Sequence, residues 1–461
     1  MAHNVAIIGS GPAGFFTAEA LLRSEADVRV DMFERLPVPF GLVRYGVAPD
    51  HQKLKSVTAL FETLADHKDF TFLGNVSVGT DVSIEEMRAS YDAVVVATGA
   101  LRGRDLGIPG EELDGNLTAT DFIGWYNGHP DFRDVKIDLS HRRAIVIGNG
   151  NVALDVCRIL SKTVDELRGS DISAHALDAL AESQVRDVHL VGRRGPAQAK
   201  FTAKELREFG TLAQAEPILH PDAIRLAPAC AEEAAETGTP GVAKNLKILK
   251  GFADRKADPA KSRRIYFHFN MAPDRITGTD HAEEVVFKRM RLEGPAFGQR
   301  AVPTGAETSL RGGMVIGCVG YRGFGLPGLP FDAARGTIPN VSGQVHDTDG
   351  TPLPGVYTAG WIKRGPSGVI GTNRACGVET ADQVLAGLTT GRDTDAARDA
   401  FVAALAARLD RVVDFAAWRR IDAREKADGA RRGKPREKVT DIATMLAEAL
   451  PDAEPKLRCA P

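Results

Sequence analysis

Short apolar runs that end in glycine recur along the chain. Val5-Ala6-Ile7-Ile8 has the character of a buried strand, and Gly9-Ser10-Gly11-Pro12-Ala13-Gly14 follows it before a helical pattern through Phe15, Ala18, Leu21 and Leu22. Val28 to Phe33 alternates apolar with charged side chains as a second strand and closes on Glu34, 20 residues beyond Gly14. This spacing predicts a βαβ unit. A helix is expected over 56–65, and Ser83-Ile84-Glu85-Glu86 has the S-x-x-E form of a capping box that opens another. Val94-Val95-Val96-Ala97 then reads as a strand, and Thr98-Gly99 marks the approach to a domain boundary.

The same succession returns downstream. Ala144-Ile145-Val146-Ile147 runs into Gly148-Asn149-Gly150-Asn151-Val152-Ala153 and a helix through Leu154 and Ile159, and Val188 to Val191 supplies the next strand. The polar, helix-prone stretch 161–185 lengthens the crossover between them. Residues 222–320 mix alternating segments such as Ile265-Tyr266-Phe267-His268-Phe269 with loops rich in Gly and Pro, a texture that predicts further β structure. Gly355 to Trp361 is again a strand ending in glycine, and 368–388 reads as loop then helix, returning the chain to the first domain. From Thr394 onward the tail is helical by composition. Within it, 419–438 carries nine basic residues against four acidic ones, the composition of a solvated helix face more often than of a docking patch.

Composition narrows the class. The 461 residues are 43% hydrophobic and 26% charged, enough for two or three packed domains rather than a disordered chain. A net charge of −3 argues against nucleic acid as partner, and no window has the roughly 18 apolar residues of a membrane span. The first strand begins almost at Met1, so no signal or transit peptide is expected. Five cysteines, at 157, 230, 318, 376 and 459, stand far apart without a Cys-x-x-Cys pair, which excludes a disulfide scaffold, a cysteine-rich metal site and a redox dithiol. A cytoplasmic enzyme with organic cofactors and no metal is expected.

The glycines carry the chemistry. Gly9 permits the tight turn, Gly11 lets backbone approach a pyrophosphate, and Gly14 allows close packing of the helix whose N-terminus faces the phosphates. Glu34 would accept hydrogen bonds from a ribose 2′-hydroxyl, so the first site suits FAD or NAD and not NADP. The second turn, with Gly148, Gly150 and Ala153, is followed at the end of its next strand by Gly192-Arg193-Arg194 where an acid would otherwise stand. Two guanidinium forks there suit the 2′-phosphate of NADP better than they suit the alternative, a pair of plain surface arginines. Two such sites in one chain imply electron traffic between a flavin, which accepts a hydride and releases electrons singly, and a pyridine nucleotide. Taken alone, Glu205 and Glu208 are exposed helix acids, and His51 is a turn or core residue.

Together these residues resemble the adrenodoxin-reductase-like group of ferredoxin:NADP reductases, bacterial members included. The resemblance spans nearly the whole chain. It rests on residues 5–14, on Pro39-Phe40-Gly41-Leu42-Val43-Arg44-Tyr45-Gly46-Val47-Ala48-Pro49-Asp50-His51, on Asp121-Phe122-Ile123-Gly124-Trp125-Tyr126-Asn127, and on 148–155 and 191–196. It continues in Gly360-Trp361-Ile362-Lys363-Arg364-Gly365-Pro366, where related flavoenzymes of the thioredoxin-reductase and glutamate-synthase type place Asp after Ala-Gly. The tail, with Trp418 and Gly433-Lys434-Pro435-Arg436, is similar to that of bacterial members.

The resemblance implies FAD contacts at Ala13, Glu34, Leu42, Val78, Trp361 and the Gly368-Val369-Ile370 backbone. It implies NADP(H) contacts at Asn149, Gly150, Asn151, Val152, Arg193, Arg194 and Glu205, with Gly368 near the nicotinamide. His51 and Glu208 would be the pair that orients nicotinamide and tunes the flavin. The expected fold is α/β, two Rossmann-like three-layer dinucleotide-binding domains with the NADP domain (103–320) inserted into an FAD domain made of 1–102 and 321–461. The expected activity is that of a ferredoxin:NADP+ oxidoreductase, hydride passing from NADPH to FAD and single electrons to an acidic iron-sulfur ferredoxin steered by local basic surface. A monomer is expected. Two other readings share the motifs: a glutamate-synthase small-subunit-like module, which would need an N-terminal iron-sulfur cysteine region, and a non-catalytic regulator that binds FAD and NADP.

Overall fold

The computed structural model describes residues 2–235, 240–388 and 394–451, and Cys459 lies outside them. The chain divides into two compact units, one of 1–102, 127–133 and 321–461, the other of 103–126 and 134–320. The short stretch 127–133, expected inside the inserted domain, groups with the first unit. Asn127 is buried there and its side-chain amide donates to the Tyr45 carbonyl at 3.1 Å.

Strands are numbered in chain order. The first unit holds β1 (His3–Ile8), β2 (Val28–Glu34), β3 (Phe70–Gly74) and β4 (Ala93–Val96). The second unit contributes β5 (Asn116–Thr118), β6 (Arg143–Ile147), β7 (Asp187–Val191), β8 (Ala215–Ile218), β9 (Arg263–His268), β10 (Met271–Thr277), β11 (Glu284–Glu293), β12 (Arg300–Arg311) and β13 (Met314–Gly317). The first resumes with β14 (Asn340–Val341), β15 (Gln344–His346) and β16 (Pro352–Thr358).

In the first unit the sheet order is β14-β15-β16-β4-β1-β2-β3. Its five strands from β16 to β3 are parallel, with β1 running from His3 opposite Val28 to Ile8 opposite Phe33. Strands covered on both faces need apolar side chains at every position, and Val5, Ala6, Ile7 and Val94 to Val96 are fully buried. The helix Pro12–Leu22 packs directly on the helix Ile370–Gly387, so tightly that a Cβ on Gly377 would stand 2.9 Å from the Thr17 nitrogen. The edge strand β3 is closed by the tail: Gly74 and Val413 exchange backbone hydrogen bonds of 2.8 and 3.0 Å.

In the second unit the order is β5-β13-β6-β7-β9-β8, parallel throughout. A three-stranded antiparallel sheet, β10-β11-β12, stands beside it in sequence. The expectation of β structure over 222–320 holds only from β9 onward. Before it come two helices, Pro228–Ala235 and Pro240–Ala253, the second burying Asn245, Leu249 and Phe252 at helical spacing.

The tail is helical over Asp395–Arg408, Phe415–Arg431 and Ile442–Ala449. Six of the nine basic residues in its basic run are exposed, as a solvated face requires, and several of them are ion-paired. Arg419 pairs with Asp66 at 2.6 Å, Arg424 with Glu448 at 2.9 Å and Lys434 with Glu437 at 2.6 Å, while Lys434 and Lys438 are buried.

Candidate functional site

In the first unit β1 ends at Ile8, and Gly9 turns the chain with φ +104°, a conformation that side chains avoid. A Cβ on Gly9 would stand 2.6 Å from the Ala97 carbonyl oxygen, and one on Gly14 would fall on the Gly9 carbonyl oxygen. Gly14 is thus required by the turn itself as well as by helix packing. A Cβ on Gly11 would meet nothing within 4 Å, the open approach that a pyrophosphate needs. Gly11 caps the helix Pro12–Leu22 without any side-chain hydrogen bond and no acid lies in its first turn, so the N–H dipoles face outward uncompensated. The helix Ile84–Ser90 makes the contrast, since the expected capping box between Ser83 and Glu86 closes its N-terminus.

Glu34 stands at the end of β2, beside this turn. Its Oε2 accepts the Ser10 N–H at 3.1 Å and the Ser10 hydroxyl at 2.6 Å, and its Oε1 accepts the Leu36 N–H at 3.1 Å. The Val76 N–H reaches the Glu34 carbonyl at 2.9 Å, and Val78 follows two residues on, bridged to Val82. Leu42 lies in the short helix Gly41–Tyr45, its carbonyl taking the N–H groups of Gly46 and Val47, each at 2.8 Å.

The second segment of this unit closes on the same helix. Gly360 has φ +78°, and a Cβ there would stand 2.5 Å from that of Ala13. Trp361 follows, its indole N–H donating to the Ser367 carbonyl at 3.1 Å, and Arg364 holds Asn373 at 2.8 Å. Gly368 has φ +82°, and Val369 and Ile370 open the helix Ile370–Gly387 with Val369 largely exposed. The predicted contacts Gly9, Gly11, Ala13, Gly14, Glu34 and Trp361 therefore converge around one helix N-terminus. His51 caps the four-residue helix Gln52–Lys55 in this unit.

In the second unit Gly148 turns the chain after β6 and Gly150 caps the helix Asn151–Ser161, again without a side-chain hydrogen bond or an acid in the first turn. A Cβ on Gly150 would meet nothing within 4 Å. Both amide atoms of Asn149 are buried without a partner, and a Cβ on Gly192 would lie 2.8 Å from its nitrogen. The turn is tied to the next segment: the Asn149 carbonyl accepts the Lys200 N–H at 2.8 Å, and Asn151 Oδ1 accepts the Thr202 N–H at 2.7 Å. That fixes the helix Ala203–Glu208, on which Glu205 is buried with Oε2 unpartnered. Arg193 and Arg194 follow β7 and Gly192, Arg193 exposed and Arg194 half-buried, and neither guanidinium has an acidic partner among the described residues. Orphaned amides, an open glycine and unneutralised guanidinium groups fit a phosphorylated dinucleotide, as the first turn with its carboxylate fits one with a free 2′-hydroxyl.

A buried charge stands behind this second turn. Arg158 is fully buried and pairs with Asp155 at 2.8 Å and with Glu208 at 3.4 Å. The signal was present, since Arg158 falls four residues after Leu154 on the inward face of its helix. Burial also acts on two histidines of this unit. His189 Nδ1 lies 3.0 Å from His268 Nε2, and desolvation holds both imidazoles down to about 4.

Residues 3–210 match the family model described as pyridine nucleotide-disulphide oxidoreductase. The chain is 44% identical over 458 residues to NADPH-ferredoxin reductase FprA of Mycobacterium tuberculosis, covering 96% of this chain and 98% of that protein. It is 41% identical over 460 residues to the mitochondrial NADPH:adrenodoxin oxidoreductase of Arabidopsis thaliana, covering 97% and 95%. The solved structure of M. tuberculosis FprA in complex with NADPH superposes with a TM-score of 0.91 at 43% identity, covering 98% of this chain and all of that one.

Proposed function

The chain belongs to the adrenodoxin-reductase-like NADPH-ferredoxin reductases, FAD enzymes that pass electrons from NADPH to ferredoxin-type partners, and from that premise we propose how its own residues divide the work. The first glycine turn, with Gly9, Gly11, Ala13, Gly14 and Glu34, holds FAD. Leu42, Val78, Trp361 and the backbone of Gly368, Val369 and Ile370 complete its seat. The second turn, with Asn149, Gly150, Asn151 and Val152, holds NADP(H), Arg193 and Arg194 take the 2′-phosphate, and Glu205 offers an acceptor.

The observation that carries this division is the contrast at the ends of two equivalent strands. After β2 stands a carboxylate already fastened by Ser10 and Leu36, and after β7 stand two arginines without acidic partners among the described residues. A carboxylate repels a 2′-phosphate and a guanidinium fork grips it.

FAD supplies the hydride acceptor and the conversion from two-electron to one-electron transfer. The protein's part is orientation. His51 and Glu208 are proposed to align the nicotinamide and set the charge around the flavin; hydride transfer itself needs no protein acid or base. Arg158, paired with Glu208 at 3.4 Å, directs that carboxylate. The proposed partner is an acidic iron-sulfur ferredoxin, attracted by local basic surface rather than by the net charge of −3. The paired charges of the tail make it a poor candidate for that surface. The protein is proposed to act as a monomer in the cytoplasm; four unbridged cysteines among the described residues are consistent with a reducing compartment.

Anaerobic titration of the holoprotein with NADPH and, separately, NADH tests the division of sites. Bleaching of the flavin band at far lower NADPH than NADH is the expected result. A flavin that stays oxidised, or one that responds equally to both, overturns it.

A further inference from the structure

Phe40 has φ +85°, in the left-handed region that a bulky side chain avoids. Its N–H donates to the Ser10 carbonyl at 3.0 Å, and a Cβ on the next residue, Gly41, would lie 3.0 Å from the Gly11 Cα. The Phe40-Gly41 turn therefore rests directly on the Ser10-Gly11 turn. Whatever holds Phe40 in this conformation also holds the seat of the first dinucleotide.

The helix that follows, Gly41–Tyr45, has five residues and cannot hold itself. Its anchor is Arg44. That side chain is buried and forks onto both oxygens of Glu425, one contact at 2.9 Å, in the tail helix Phe415–Arg431. Glu425 is itself fully buried. Its carboxylate also takes Arg436 at 3.0 Å and the Val439 N–H at 2.9 Å, and Asp422 takes Arg436 at 2.8 Å. Trp418, from the same tail helix, lies under the Arg44 guanidinium at 5.1 Å and packs edge-on against Phe40 with ring centroids 5.9 Å apart. The tail thus grips the turn at two points, one ionic and directional, the other aromatic.

We propose that the C-terminal helices form a clamp on the flavin-binding turn, with Glu425 as a positioning residue that acts through Arg44 on Phe40 and Gly41. A buried bidentate pair gives little stability beyond what an apolar pair of the same volume would give, but it fixes an orientation. This placement, between the tail and a strained turn, is where orientation matters. The proposal rests on the assignment of the first glycine turn to FAD.

Three variants test it, each assayed for FAD dissociation by recovery of flavin fluorescence, for the flavin midpoint potential, and for thermal unfolding of the flavin-free protein. Glu425→Gln is expected to release FAD at least about tenfold more readily. The double variant Arg44→Met with Glu425→Leu removes both charges of the fork together, leaving Arg436 to Asp422 and the Val439 N–H unpaired; the flavin-free protein is expected to unfold at a modestly lower temperature but as one folded species, and to bind FAD about tenfold more weakly with a shifted potential. Wild-type FAD affinity and potential in the double variant overturn the clamp. Should either chain fail to fold, Arg436→Gln, which loosens Glu425 only from its outer side, still decides: dissociation about threefold faster supports the clamp and an unchanged rate overturns it. Gly11→Val separates the premise from the proposal, because a Gly11→Val chain that retains FAD at wild-type affinity refutes the placement of FAD and leaves the clamp to be judged on the other variants.

Discussion

Ser10 donates twice to a single oxygen of Glu34, through its N–H at 3.1 Å and its hydroxyl at 2.6 Å. The carboxylate is thereby fixed in direction before any ligand arrives, which removes the cost of ordering it on binding. Its remaining lone pairs are what a ribose diol can use. Glu34→Ala should weaken FAD binding by about 1.5–3 kcal/mol, the worth of a hydrogen bond to a charged group. Ser10→Ala should cost less, since Glu34 keeps the Ser10 and Leu36 N–H groups. Titration of the flavin-free protein with FAD orders the two; equal losses would mean that Glu34 serves the turn and not the ribose.

Arg193 and Arg194 should set nucleotide choice. Replacing either with Gln is expected to cost about 1.5–3 kcal/mol in NADPH affinity per lost charge-assisted contact, with little change for NADH. The ratio of kcat/KM for the two nucleotides reads this directly. A parallel fall in both would assign the arginines to the stability of the unit.

The histidine pair predicts a pH dependence. His189 and His268 are held down to about 4 by burial against an ordinary value of 6.5, so the unfolded chain binds more protons than the folded one between those limits. Their contribution is complete above pH 6.5, falls as the pH drops through the window, and levels off below it. His268→Gln removes one titrating group, and urea midpoints measured across the window should fall with about half the slope that the pair imposes. A slope identical to that of the unaltered protein would show that acidification acts elsewhere.

Arg158 has no exposure to share its charge with water. Arg158→Met takes the buried guanidinium away from Asp155 and Glu208 and should destabilise the second unit by about 3 kcal/mol. Glu208→Gln, which keeps the shape and one acceptor, should cost less than that in urea denaturation while raising KM for NADPH or lowering kcat. If Arg158→Met unfolds at the wild-type urea concentration, the pair does not organise this helix.

Both glycine turns were legible because they are local. A buried strand, glycines at set intervals and a helix lie within about 15 residues, and the residue that ends the next strand can be counted to. The same holds for the Ser83 capping box. Two kinds of feature were not legible. The helices ahead of β9 bury Asn245, Leu249 and Phe252 among lysines and glycines that thin out the periodic signal, so the segment read as β texture. The grip of Glu425 on Arg44 joins positions 381 residues apart, and no local pattern announces such a pair. In the tail, composition indicated a wet surface and most of the basic side chains are exposed, but the acids that pair them, within the tail and at Asp66, carry no local signal.

The sheet of the first unit has a consequence for synthesis of the chain. β4 ends at Val96, and the strand that covers its outer edge, β16, begins at Pro352. During translation at roughly 5–20 residues per second, Val94, Val95 and Val96 must wait on the order of ten seconds or more with an unpaired apolar edge. The inserted unit meanwhile has every strand of its parallel sheet, β5 to β13, available by residue 317. It can close first. The first unit then matures last, when β16 and finally the tail emerge, so a stalled or truncated chain would expose the apolar outer edge of β4 while the second unit is already complete.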